Sequence, residues 1–147
     1  MNDLICGRTF QGLENLYLNS KYFQENFKKD YYIKDQLAYL KEVCTIKLCG
    51  PRRSGNTSSI FKLAQKYNMV GLVVYPNNQM ANRFTEIYGN NTVYISNINN
   101  LLDCKYNGLM LKFIAVDGSF ALKDSDFDEI YKKCLNFMQE EFYLIIV

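Results

Sequence analysis

The apolar residues change their spacing once, near residue 44, and that change divides the chain into two kinds of territory. Before it, the sequence reads as helical. Tyr22, Phe23 and Phe27 are followed by Tyr31, Ile33, Leu37, Leu40 and Val43, the later members at three- and four-residue intervals. That is the stripe of an amphipathic helix, with Lys34, Asp35 and Lys41 on its polar side. The aromatic members are expected to pack in the core. After residue 44, short apolar runs alternate with helical stripes. Thr45 to Cys49, Gly71 to Tyr75, Thr92 to Ser96, Lys112 to Val116 and Phe142 to Val147 predict strands. GLVVY, at 71–75, is apolar throughout, as in a strand covered on both faces.

Helical stripes lie between these runs. Ile60, Phe61, Leu63, Ala64 and Tyr67 share one face, and Met80, Phe84 and Ile87 share another before a stop at Gly89. A third helix, from Ser125 to Glu141, carries Phe127, Ile130, Tyr131, Cys134 and Met138. Ser125 precedes Asp128 by three residues, the spacing of an acidic capping box, and the surrounding Asp124, Asp126 and Glu129 favour a helix N-terminus. Pro51 and Pro76 each follow a strand and read as punctuation. Strands alternating with helices predict an α/β fold with a mostly parallel sheet and right-handed crossovers. The length of 147 residues fits a single domain, with a helical N-terminal segment at 1–43 and a sheet core at 44–147.

Composition narrows the chemistry. There is no histidine, which excludes His-dependent triads and His-ligated metals. The five cysteines, Cys6, Cys44, Cys49, Cys104 and Cys134, form no C-x-x-C pair, and an odd number argues against a complete disulfide framework. They read as reduced packing groups of a cytoplasmic protein. No secretory leader pattern opens the sequence, and its longest apolar run is too short to span a bilayer, so no membrane role is expected. A net charge of +2 does not by itself point to nucleic acid. Asn26 to Lys34, NFKKDYYIK, interleaves basic and aromatic residues; core packing is the favoured reading there and a nucleic-acid surface the alternative. Lys62 is expected to face solvent, and Lys47 to be a snorkelling strand-edge residue.

One segment carries most of the chemical signal. GPRRSGNTSS, residues Gly50 to Ser59, follows a strand and opens a helix. It matches the phosphate-loop pattern G-x-x-x-x-G-K-[ST] at Gly50, Gly55 and Thr57, and departs from it at Asn56, where the pattern has lysine. Glycines at this spacing let backbone N–H groups turn inward around an anion, and the following helix aims its positive end at the same point. Sixty residues further on, KFIAVDGS is an apolar strand ending in Asp117. A carboxylate at that place can hold Mg2+.

Together these two motifs resemble the P-loop NTPases, and their order resembles the first motor domain of helicase- and phage-terminase-like ATPases. The resemblance covers residues 33–147. It implies a three-layer fold and a site for ATP or another NTP with Mg2+. The phosphate-binding set would be Gly50, Arg52, Arg53, Ser54, Gly55, Asn56, Thr57 and Ser58, with Thr57 and Asp117 holding the metal. The same resemblance implies weak chemistry. Asn56 lacks the lysine's charge, Gly118 stands where the helicase branch often has a catalytic glutamate, and no sensor residue or arginine-finger segment is expected after Val147. Arg52 and Arg53 offer a partial replacement for the charge, or a solvated loop. No residue is assigned as catalytic. The resulting expectation is a degenerate nucleotide- or phosphate-binding protein with a regulatory or structural role in a nucleic-acid-handling assembly, such as a phage or viral one, working with a protein partner or as a homo-oligomer. A working ATPase completed by a partner, and an interaction module with an empty pocket, stand as the alternatives.

Overall fold

A computed structural model of the chain describes residues 2–31, 35–48, 55–89, 92–103, 109–138 and 141–147. Helix α1 (Asn2–Tyr31) leads to a short α2 (Gln36–Tyr39), which widens into a π-turn at Leu40–Cys44 and feeds strand β1 (Thr45–Lys47). The order is then α3 (Asn56–Lys66), β2 (Gly71–Tyr75), α4 (Asn78–Tyr88), β3 (Val93–Asn97), α5 (Ile98–Leu102), β4 (Phe113–Val116), α6 (Asp124–Cys134) and β5 (Tyr143–Ile146). All five strands are parallel, in the spatial order β1-β5-β4-β2-β3. The protein is thus a three-layer α/β fold with an N-terminal helix, as the alternating pattern predicts.

Every residue of β2, β4 and β5 is buried, whereas β1 and β3, at the sheet edges, each expose at least one residue. Successive side chains leave for opposite layers. Val73, Tyr75, Phe113, Ala115, Tyr143 and Ile145 pack with α1, α3 and α4. Leu72, Val74, Ile114, Val116, Leu144 and Ile146 pack with α5, α6 and the π-turn. Steps from β1 to β2 to β3 move one way across the sheet and use helices of the first layer. The return to β4 and β5 uses the second layer, as crossovers of a single hand require. Gly71 is needed for close approach: a Cβ there would lie 2.1 Å from the Phe113 ring, its partner in register.

The N-terminal helix docks by a stripe that differs from the expected one. Leu13, Tyr17, Ser20 and Gln24, at spacings of four, three and four, are its buried face. Tyr22 and Phe23 fall on the opposite side and remain 58% and 49% exposed, so the expectation of core packing for these two is corrected. Tyr17 lies between Tyr67 and Tyr143, with ring centroids 4.7 Å from each. The Gln24 side chain forms a clasp on Phe142: its Nε2 donates to the Phe142 carbonyl at 2.8 Å, and its Oε1 accepts the Phe142 N–H at 3.0 Å. Glu14 receives Lys66 and the Tyr67 hydroxyl from the end of α3, and these two donors lower its pKa.

Three local expectations are also corrected. Helix α6 begins before Ser125, because the Asp126 carboxylate accepts the Lys123 N–H at 3.0 Å and fixes the first turn there. A lysine side chain has no acceptor, so only this half of a capping box forms. The same helix stops at Cys134 and tightens into a 3-10 turn at Leu135–Phe137, well short of Glu141. In α4, Ile87 is exposed; Ala81 is the buried residue, with Phe84 and Tyr88 packed beside it. Lys47 and Lys62 are exposed, as expected. Among the described residues, no helix is long and apolar enough to cross a membrane.

Two stability measurements follow from these contacts. Gln24→Ala strands the buried Phe142 N–H and C=O, and urea denaturation should show a loss of about 2–4 kcal/mol. For Glu14, the depressed folded-state pKa means that its contribution is complete above the unfolded value and is lost as pH falls through the folded one. Glu14→Gln should therefore lower the thermal midpoint at neutral pH, with the difference from wild type shrinking below about pH 4.

Candidate functional site

Open parallel sheets bind ligands beyond the C-terminal ends of their strands, where neighbouring connections leave for opposite layers. Here β1 departs into α3 on one side and β4 departs toward α6 on the other, with β5 between them. The first residues of α3 and the last of β4 therefore face each other over the end of β5. Gly50, Arg52, Arg53 and Ser54 lie outside the described residues; Gly55, Asn56, Thr57, Ser58 and Asp117 lie within them.

Gly55 caps α3 in the left-handed region, with φ 88° and ψ 16°, and no side chain caps this helix. Its carbonyl accepts the Ser59 N–H at 3.0 Å and the hydroxyls of Ser58 and Ser59 at 3.1 and 2.7 Å. The Ser58 hydroxyl thus turns back on the backbone. Asn56 and Thr57 form the first turn of α3, whose N–H groups carry the positive end of the helix dipole.

The Thr57 hydroxyl donates to Asp117 Oδ2 at 2.5 Å, joining residues sixty positions apart. Asp117 is only 7% exposed. Its other oxygen accepts the Gly118 N–H at 2.9 Å, and its own N–H donates to the Val74 carbonyl at 3.1 Å. Among the described residues, no lysine or arginine pairs with it. A buried carboxylate held by two neutral donors retains spare acceptor capacity. It stands at a helix N-terminus, where a cation shared with a phosphate would satisfy both ends.

Gly118 follows in the left-handed region, with φ 74°, and packs against Pro76: a Cβ there would lie 3.2 Å from Pro76 Cδ. The Ser119 N–H then donates to the Val147 carbonyl at 3.0 Å, which ties this turn to the end of β5. Phe120, on the 3-10 turn Ser119–Ala121, is 66% exposed beside the site.

No protein-family model matches the chain, and no curated protein matches it. Among the described residues, no group of three or more Asp, Glu, Cys or His side chains could hold a metal unaided. Thr57 and Asp117 instead offer two hard oxygen donors, which suits Mg2+ brought in with phosphate oxygens and water.

One residue at the site escapes the motif reading. Tyr75 ends β2 and is fully buried, and among the described residues its hydroxyl makes no well-formed hydrogen bond, although Asp117 lies close enough to interact with it. Burial, followed by the nearby Asp117 charge and a weak hydrogen-bonding interaction with that carboxylate, raises its pKa far above the ordinary tyrosine value. Nothing in GLVVY marks its last residue, because its position depends on how β2 pairs with β4.

The Asp117–Gly118 turn predicts a measurable strain. Gly118→Ala forces a Cβ into the left-handed region against Pro76, and urea denaturation should register a loss of about 1–2 kcal/mol.

Proposed function

We propose that the protein binds a nucleoside triphosphate or a related polyphosphate together with Mg2+, weakly and with little or no hydrolysis. The observation that supports this most directly is the Thr57–Asp117 hydrogen bond, which brings the phosphate-loop hydroxyl onto the strand-end carboxylate. In this reading the N–H groups of the α3 first turn receive phosphate oxygens. Thr57 and Asp117 hold the cation, which neutralises phosphate charge. Gly55 permits the backbone to turn toward the anion, and Arg52 and Arg53 supply charge from the loop.

Weak binding follows from Asn56, which can donate a hydrogen bond but carries no charge. A charge-assisted bond contributes roughly 1.5–3 kcal/mol, or about 10- to 100-fold in affinity. Turnover suffers more, because charge develops in the transition state. Gly118 adds no side chain able to activate water. A regulatory or structural place in a nucleic-acid-handling assembly, with a protein partner or a second copy, rests on the likeness to helicase- and terminase-like ATPases alone.

Calorimetric titration of the protein with ATP in Mg2+, and in EDTA, tests this reading. Saturable binding without phosphate release, tighter in Mg2+ than in EDTA, is the expected result, and Asp117→Ala should remove the Mg2+ enhancement. Asn56→Lys should tighten binding about 10- to 100-fold. Turnover well above background that survives both Thr57→Ala and Asp117→Ala would remove the site from the reaction. Failure to bind ATP or inorganic tripolyphosphate would leave an interaction module with no anion site.

A further inference from the structure

Tyr75 and Asp117 are brought together by strand pairing. Val74 pairs with Val116 across β2 and β4, and the Asp117 N–H to Val74 carbonyl bond carries that register one residue further. Tyr75 and Asp117 are therefore the next pair. Side chains paired across parallel strands share a face. Val74 and Val116 enter the layer of α5 and α6, so Tyr75 and Asp117 turn together toward α3. The Tyr75 ring is fixed there by a stack on Phe84, with centroids 4.7 Å apart and planes at 14°.

The ring is well packed while its hydroxyl, though near Asp117, makes no well-formed hydrogen bond among the described residues. A buried donor without an acceptor raises the free energy of the state that contains it. Asp117, on the same face, accepts from Thr57 and Gly118 and has room for a further donor.

We propose that Tyr75 is a positioning residue of the phosphate–Mg2+ site: its hydroxyl becomes the third donor to Asp117 when the site is loaded, and holds the carboxylate in its cation-facing orientation. The proposal rests on the function argued above. It makes the unmatched hydroxyl a cost of the ligand-free state that is relieved on binding, so that binding gains what the empty protein lacks.

The test is Tyr75→Phe in the full chain, which keeps the ring and removes only the hydroxyl. Its ligand-free form should melt higher than wild type, because a stranded polar group is gone. Its affinity for ATP in Mg2+ should fall about tenfold, while its affinity in EDTA stays unchanged. A merely structural tyrosine does not produce opposite signs in stability and binding. Ile130→Val, in the opposite layer, serves as the control: it should lower the melting midpoint and leave the Mg2+ dependence intact. Tyr75→Phe with wild-type affinity in Mg2+, or with equal losses in Mg2+ and EDTA, overturns the positioning role while leaving the site standing. Wild-type protein without Mg2+-dependent ATP binding overturns the site and the positioning role together.

Discussion

A parallel sheet covered on both faces is the constraint from which the rest of this fold follows. With β2, β4 and β5 wholly buried, these strands have no solvent face along which to place polar chemistry. Helices must cover both sides, which forces connections in one layer to run one way and those in the other to return. Among the described residues, buried polar side chains outside α1 then sit at strand ends and helix starts. The buried polar residues Asp117, Ser96 and Asn97 lie at or just beyond the C-terminal ends of β4 and β3, and Ser59 in the opening turn of α3.

Within that frame, the candidate site is a balance between preorganisation and missing charge. Gly55 and Gly118, both left-handed, turn the chain on either side so that Thr57 and Asp117 meet. The geometry of an anion cradle is compatible with the described half of the loop. The cationic side chain that ordinarily dominates such a cradle is absent at Asn56.

The strands and the three longer crossover helices were legible because their apolar spacing reports which residues face a core. Asp117 and Thr57 were legible as a pair because each occupies the end of a patterned element. Other features depended on contacts no spacing records. The buried stripe of α1 runs through Ser20 and Gln24, polar residues whose hydrogen bonds to Val43 and Phe142 replace apolar burial. Tyr22 and Phe23 look more like core than either, yet lie outside. Helix α5 is a five-residue segment whose start is set by the Asn97 side chain accepting the Asn100 N–H. Tyr75 acquires its meaning only from the register of β2 on β4.

The strand order also has a consequence for how the protein is made. Strand β1 touches the sheet only through β5, the last of the five strands to be synthesised. Until β5 inserts beside β4, nothing in the sheet holds β1, the strand that leads toward α3. The Gln24 clasp on Phe142 adds the N-terminal helix to the same late event. Assembly of the crevice is thus tied to the most distant pairing in the chain, a closure that small helical proteins avoid. A ribosome-bound chain lacking β5 would carry both motifs of the site without the strand that lies between them.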